Sequence, residues 1–509
     1  MNRHARVSGS GSLRRSGDRA GLARPRSTAA ALTVLATAQL VIALDYSIVN
    51  MALPDISRVL GFTGGTVQWV ISGYTLTFGG FLLLGGRAAD LLGRRRMFMV
   101  AVALFGVASF AGGLATHPGL LVACRAVQGA AAALLFPATL SLVTTTFAEG
   151  HDRNRALAVW GSAGAGGLSL GVLAGGVLTS LFGWQAVFFV NVPITAALMV
   201  LAPLVLRDGG PAPRPRRFDA PGAVLVTLGA VAIVDALVQA PTVGWTSART
   251  LIEIAAGLLL LGLFVVVERR VRSPLMPLRL LRIRTVGGGA LVTAAFMSSF
   301  GTQLFFLTLY LQQVLRDSPL EAGMRFLPLV LSIVIGNQVG GRLVERLGIA
   351  RTLAAGMAFG AVGLALYLEL SPTGSHAVLW AGMLLAGLGQ GAAFTTMYVA
   401  AGTGVTAGEQ GMASAIASSA QQIGGSVGLA ALVTLLSARA AALGGPPSGL
   451  TGQTDGVLTE ALHATFAAQA GIAALGAVVA LLVIGGGKRS ARAQRDRAAD
   501  RAPAPQAAA

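Results

Sequence analysis

Apolar residues arrive in blocks of roughly twenty, and polar residues gather in the short gaps between them. A block of that length crosses a ~30 Å hydrocarbon core as an α-helix. In lipid, a helix satisfies all of its own backbone groups. No stretch alternates with period two, which excludes an outer-membrane barrel. Fourteen such blocks are expected, the first over 28–53 and the last over 462–486. The chain reads as an all-α integral membrane protein.

The gaps carry their own pattern. Gly85–Arg96, GGRAADLLGRRR, returns at Gly340–Arg351 as GGRLVERLGIAR, with six of twelve positions identical and an acid sixth in both copies. Each copy lies between two apolar blocks, so each is expected to be a short polar hairpin between spans. A hairpin kept at matched places implies duplication and two pseudo-symmetric halves, the architecture of secondary transporters. The copies stand 255 residues apart, whereas six spans with short loops need roughly 190. The excess fits one extra pair of spans at 219–268. The expected organisation is a basic, disordered tail at 1–27 and a six-helix bundle at 28–207. A linker with two extra helices follows at 208–284, then a second six-helix bundle at 285–487 and a disordered tail at 488–509.

Composition agrees with this reading. Hydrophobic residues make up 54% of the 509 and charged residues only 11%, against about 25% charged in soluble domains. A net charge of +18 invites a nucleic-acid reading, but the basic residues sit in alternate gaps and at both ends. With both termini inside, that side holds 32 Lys/Arg and the other side five. This bias places the termini in the cytoplasm and the chain in the cell membrane, and removes the need for nucleic acid. Cys124 is the single cysteine, so an intramolecular disulfide is excluded. No G-x-x-x-x-G-K-[ST] loop is present, so ATP is not expected as fuel.

Charged side chains well inside a span cost about 2.5–3.5 kcal/mol each on insertion scales and call for a reason. Asp45, Arg125 and Asp235 are the three candidates. Asp45 lies roughly 22 Å from the inner surface and Arg125 roughly 21 Å, at 1.5 Å per residue. Equal depth makes an ion pair possible if their helices adjoin. Pairing favours the ionised carboxylate and burial the neutral acid, so conformation could decide whether Asp45 holds a proton. A static pair that only fixes packing is the plainer alternative. For Asp235, in the extra helix pair, a lateral hydrogen bond is at least as good an explanation.

Glycines form the next signal. Gly161–Gly176, GSAGAGGLSLGVLAGG, puts small residues on nearly every face of the fifth span, including Gly171, Gly175 and Gly176. Small residues permit close backbone approach, which tight packing and sliding both use. In the repeated hairpins, Gly86, Asp90, Gly93, Arg94 and Arg95 match Gly341 and Glu345 as a candidate conformational switch. An acid there can meet the positive end of a neighbouring helix. Polar and aromatic residues suited to a cavity for amphipathic ligands are Asn50, Trp69, Tyr74, Gln128, Phe136, Phe296, Gln303, Asn337, Gln390 and Gln422.

These segments resemble the major facilitator superfamily, specifically its fourteen-span drug:proton antiporters. GGRAADLLGRRR is similar to the signature between spans two and three, with Ala88 for the usual Leu and Leu91 for the usual basic residue. LDYSIVNMALP (Leu44–Pro54) resembles the first-span motif with Ser47 for Thr, and LVACRAVQGAAAA (Leu121–Ala133) the fourth-span motif, whose arginine corresponds to Arg125. The fifth-span run resembles the motif ending G-P-x-x-G-G, with Val172 in place of proline. QWVISGYTL (Gln68–Leu76) and GWQAVFFVNVP (Gly183–Pro193) also look like family segments.

The resemblance implies two six-helix bundles, a central helix pair and export of drug-like molecules, antibiotics or secondary metabolites driven by proton entry. It implicates Arg125 in proton coupling, which joins it to Asp45 as the candidate coupling pair; no cofactor, a small-molecule substrate and a monomer are expected. An importer or a lipid or siderophore transporter of the same fold remains open, as does a non-transporting sensor or scaffold.

Overall fold

The computed structural model describes residues 28–62, 65–147, 151–206, 220–271, 278–373, 376–405, 410–445 and 453–485. The two terminal tails expected from the sequence lie outside these residues. Among the described residues the chain is helical, with no strand.

Six helices make the first half: α1 (Thr28–Leu60), α2 (Trp69–Leu92), α3 (Arg94–Gly113), α4 (Pro118–Thr146), α5 (His151–Phe182) and α6 (Asn191–Val205). Two follow as a hairpin, α7 (Ala220–Val243) and α8 (Ala248–Arg270). The second half begins with α9 (Arg284–Val314) and α10 (Leu327–Leu347), the latter entered through a short helix, Pro319–Arg325. It continues with α11 (Ile349–Leu366), α12 (His376–Gly402), α13 (Gln410–Ala442) and α14 (Asp455–Ile484). Twelve described helices are long and apolar enough to cross a membrane. The chain is a multi-pass membrane protein. Two further helices, α2 and α7, are 24 residues each.

Helix starts follow local chemistry. Ser247 caps α8 by accepting from Thr250 N, and Thr454 caps α14 by accepting from Val457 N. Before α10, Ser318 and Glu321 form a reciprocal capping box, which satisfies two otherwise orphaned donors.

The repeat is not two loops. In both copies most of the polar stretch continues the preceding helix, and the chain turns on a single residue. Gly93 (φ +93°) joins α2 to α3, and Gly348 (φ +78°), 255 positions later, joins α10 to α11. A left-handed backbone at a one-residue joint favours glycine in each half.

Helix pairing repeats as well. In the first half α1 lies on α5, α2 on α4, and α3 on both α4 and α6. In the second, α9 lies on α13, α10 on α12, and α11 on both α12 and α14. The halves meet where α2 packs on α13 and where α5 packs on the short helix ahead of α10. The α7–α8 hairpin pairs with itself, and α7 leans on α2 and α13.

The end of the bundle where α1 starts is called here the near face, and the end where α1 finishes the far face. Bonds between the halves run from the far face to about the middle of α2. Gln312 Nε2 donates to Met51 O at 3.1 Å, Leu320 N to Ser180 Oγ at 3.0 Å, and Ser419 Oγ to Gly79 O at 3.0 Å. The Thr75 and Ser426 hydroxyls also bond directly.

Candidate functional site

Asp45 and Arg125 meet. Arg125 Nη1 stands 2.5 Å from Asp45 Oδ2, and the two residues are 1% and 0% exposed, arginine first. The depth match read from the sequence is therefore a contact between α1 and α4. Around it the first half supplies a closed shell of neutral partners. Gln128 Nε2 and Asn191 Nδ2 donate to Asp45 Oδ1 at 3.2 and 2.8 Å. Both amides also donate to Ser109 Oγ, at 3.1 and 3.0 Å, and that hydroxyl donates to Phe188 O at 2.9 Å.

The guanidinium is held just as fully. Its Nε donates to Val70 O at 2.9 Å, its Nη1 also reaches Gln128 Oε1 at 3.1 Å, and its Cζ lies 4.4 Å from the centre of the Tyr74 ring. A cation over an aromatic face gains electrostatic stabilisation, more so when desolvated. Four helices of the first half, α1, α2, α4 and α6, thus bond or stack onto one ion pair, and α3 joins them through Ser109. A buried pair offsets its desolvation only when the remaining donors and acceptors are satisfied. Here Asp45 accepts from three side-chain donors, and Arg125 donates from Nε and Nη1.

The sixth helix reaches the cluster through glycine. A Cβ on Gly171 would lie 2.6 Å from Leu44 O, and one on Gly175 would lie 2.5 Å from Ile48 O. These glycines let α5 press its backbone against α1 at the turns flanking Asp45. Gly176 faces the other half instead, where a Cβ would lie 2.5 Å from Pro319 O.

The other candidates are dispersed. Of the residues expected to line a cavity, Asn50 borders a 30 Å³ crevice between the halves, with Tyr46, Thr75, Thr302 and Phe305. Tyr74 and Gln128 are enclosed in the ion-pair cluster. Gln303 is buried and donates to the Tyr367 hydroxyl at 2.7 Å. Phe136 packs between Phe78 and Trp160, and Phe296 between Phe300 and Phe394. Asn337 Oδ1 accepts from Thr395 at 3.1 Å. Gln390 is half-buried and Gln422 buried, each with an enclosed Oε1 that lacks a partner. Trp69 faces the α7–α8 hairpin.

Among the switch residues, Gly86 and Asp90 belong to α2, and their side chains lie outside the described ones. Arg94 and Arg95 open α3, where Arg95 Nη2 donates to Pro203 O at 3.2 Å. Gly341 and Glu345 lie on α10, with Glu345 exposed.

Ser109 and Asn191 are functional candidates that the sequence reading passed over. Asn191 had one signal: an amide within the apolar segment GWQAVFFVNVP at the start of α6. Ser109 had none, since a lone serine in a membrane helix usually bonds its own backbone.

Comparison with known proteins agrees with this geometry. The Puromycin resistance protein pur8 of Streptomyces alboniger is 40% identical over 415 residues, covering 81% of this chain and 82% of that one. The Cephamycin export protein CmcT of Amycolatopsis lactamdurans is 39% identical, covering 83% and 88%. The Tetracenomycin C resistance and export protein of Streptomyces glaucescens is 33% identical, covering 87% of each. Among solved structures, the POT family transporter PepTSo matches with a TM-score of 0.65 at 16% identity, covering 90% of this chain and 98% of that one. The family model described as Major Facilitator Superfamily matches residues 35–429. With the duplicated helix pairing and the one-residue joints at Gly93 and Gly348, this match makes the chain a member of the Major Facilitator Superfamily.

Proposed function

We propose that the chain exports apolar or amphipathic small molecules in exchange for protons, by alternating access between two six-helix halves. One observation carries the reading. The Asp45–Arg125 pair is buried wholly within the first half, while the bonds between the halves among the described residues lie from the far face to mid-α2. Protonating Asp45 would weaken its bonds to Arg125, Gln128 and Asn191 together and loosen α1 from α4 and α6. A bonded far face with a separable near face is what a rocking transporter needs in one of its two states.

The names of the relatives, resistance and export proteins for puromycin, cephamycin and tetracenomycin C, support export and this substrate class. The crevice between the halves supports it too, since its lining carries no charged side chain. The proposal includes fourteen spans with α2 and α7 counted, both termini in the cytoplasm, residence in the cell membrane as a monomer, and the proton gradient as the energy source. One proton moving down 100 mV yields ~2.3 kcal/mol, and one pH unit ~1.4. Together these support a roughly 500-fold gradient of a neutral substrate.

Inverted membrane vesicles test the reading. An imposed inward-acid gradient should drive a lipophilic dye into vesicles bearing the chain, and a protonophore should abolish the uptake. Dye movement indifferent to the proton gradient would overturn it.

A further inference from the structure

The α7–α8 hairpin does not close fully against the first half. Between them lies a cleft of 840 Å³ whose lining includes neither Asp45 nor Arg125. Drug-sized ligands occupy pockets of about 300–1,000 Å³. Its apolar wall comprises Phe62, Trp69, Val122, Leu228, Val231 and Leu260, drawn from the α1–α2 connection and from α2, α4, α7 and α8. Its polar wall is Asp235 on α7 and Glu253 on α8.

The charges in this cleft do not balance. Arg249 Nε donates to Glu253 Oε1 at 2.8 Å, but its Nη2 reaches Asp235 Oδ2 only at 3.4 Å. Gln239 adds a further hydrogen bond to Asp235. Two carboxylates thus share one guanidinium, which is itself half exposed. Glu253 Oε2 is enclosed and has no hydrogen-bond partner. An enclosed carboxylate oxygen without a donor is costly to leave unmade. The site sets two acids against one guanidinium, leaves one carboxylate oxygen without a donor, and adds an apolar, aromatic-bearing wall.

Depth narrows the occupant further. Asp235 precedes the end of α7 by eight residues and Glu253 follows the start of α8 by five, so both lie roughly 8–12 Å below the far end of the hairpin. That is the level at which an amphipathic cation in a bilayer holds its charge near the headgroups and its body in hydrocarbon.

We propose that this cleft is a second binding site, outside the path between the halves, for a lipophilic monovalent cation. The charged centre sits between Asp235 and Glu253, and the apolar body lies against Trp69, Phe62 and Leu228. The proposal is independent of the transport reading, because binding here needs neither Asp45 nor movement of the halves.

The test uses the full chain in lipid nanodiscs and radiolabelled tetraphenylphosphonium. Wild type and Asp45→Asn should bind it alike, which separates this site from the coupling cluster. The double variant Asp235→Asn with Glu253→Gln should bind about tenfold or more weakly, the scale of losing a close charge pair at a binding site. Uncharged triphenylphosphine oxide should not distinguish the double variant from wild type. Leu228→Trp, which leaves both carboxylates and fills the cleft, should also block the cation and covers the case in which the double variant does not fold. Equal tetraphenylphosphonium affinity in wild type and Leu228→Trp, or no binding to wild type, would overturn the proposal.

Discussion

Gln303 on α9, the counterpart of α1, donates to the Tyr367 hydroxyl just past the end of α11 at 2.7 Å. Gln303 stands 258 positions beyond Asp45, and in the register of the Gly93 and Gly348 joints Tyr367 stands where the first half has Gly112. The offset of 258 carries Arg125 to Met383, which is fully buried. Gln469 on α14, the counterpart of α6, donates to α9 instead, to Ser299 O at 3.0 Å and Thr302 Oγ1 at 2.8 Å. At these offset positions the second half carries an amide where the first has the acid and a thioether where it has the guanidinium.

The asymmetry gives a sharp mutational contrast. Asp45→Asn keeps the shape and most hydrogen bonds of the cluster, so the protein should fold and insert while gradient-driven efflux is lost. Gln303→Met removes a neutral bond worth about 0.5–1.5 kcal/mol and should leave coupling intact. Efflux measured against an imposed pH gradient separates them, and full activity of Asp45→Asn would remove the pair from the mechanism.

Arg125 predicts a second contrast, this one in stability. Arg125→Met leaves the Asp45 carboxylate buried without its cation, a loss on the order of 3–5 kcal/mol. Adding Asp45→Asn removes the stranded charge, so the double variant should recover most of the lost thermal stability without regaining efflux. Melting curves of the single and double variants in detergent would check this. A double variant no more stable than Arg125→Met would mean the arginine holds the bundle through Val70 and Tyr74 instead.

How much of this was legible in the sequence depends on how specific each signal is. A carboxylate and a guanidinium at equal depth have few reasons to be in a membrane, so their contact could be read from position alone. Gln128 and Asn191 are neutral amides with many possible partners, and their convergence on Asp45 is set by how α4 and α6 pack. The repeat was legible as a repeat but was read as a pair of loops, because glycines and charges suggest turns. In fact the polar residues extend two helices, and one glycine makes each turn. The cleft beside Asp235 had no sequence signal, since it arises from where the α7–α8 hairpin docks.

The joints themselves can be tested. A Cβ on Gly93 would meet nothing within 4 Å, so only its left-handed backbone opposes substitution. Gly93→Ala should therefore cost about 1 kcal/mol through strain alone. Gly341→Ala, also free of contacts but within α10, should be neutral or slightly stabilising. Thermal melts of the two variants supply the comparison. Equal stability would mean the joint relaxes to another turn.

The glycine seam on α5 is constrained by space instead. Gly171→Val would force its Cβ toward Leu44 O, 2.6 Å away, and overpacking of this kind costs typically 1–3 kcal/mol. Displacing α1 here also moves Asp45, one residue beyond Leu44. Efflux should fall together with the melting temperature, whereas Gly161→Ala, with open space around it, should alter neither.

The far-face contacts lead to the most direct test of rocking. Thr75 on α2 and Ser426 on α13 bond hydroxyl to hydroxyl across the halves, so their Cβ atoms lie near the ~3.5–4.5 Å a disulfide requires. The native Cys124 is buried on α4 and adds little background. In a Thr75→Cys, Ser426→Cys variant, oxidation should cross-link the halves in the state described here and stop efflux, and a reductant should restore it. If alternating access separates α2 from α13, a substrate favouring the opposite state should slow cross-linking. A fully cross-linked protein that still transports at the reduced rate would mean that this contact never opens, and that the halves move about some other line.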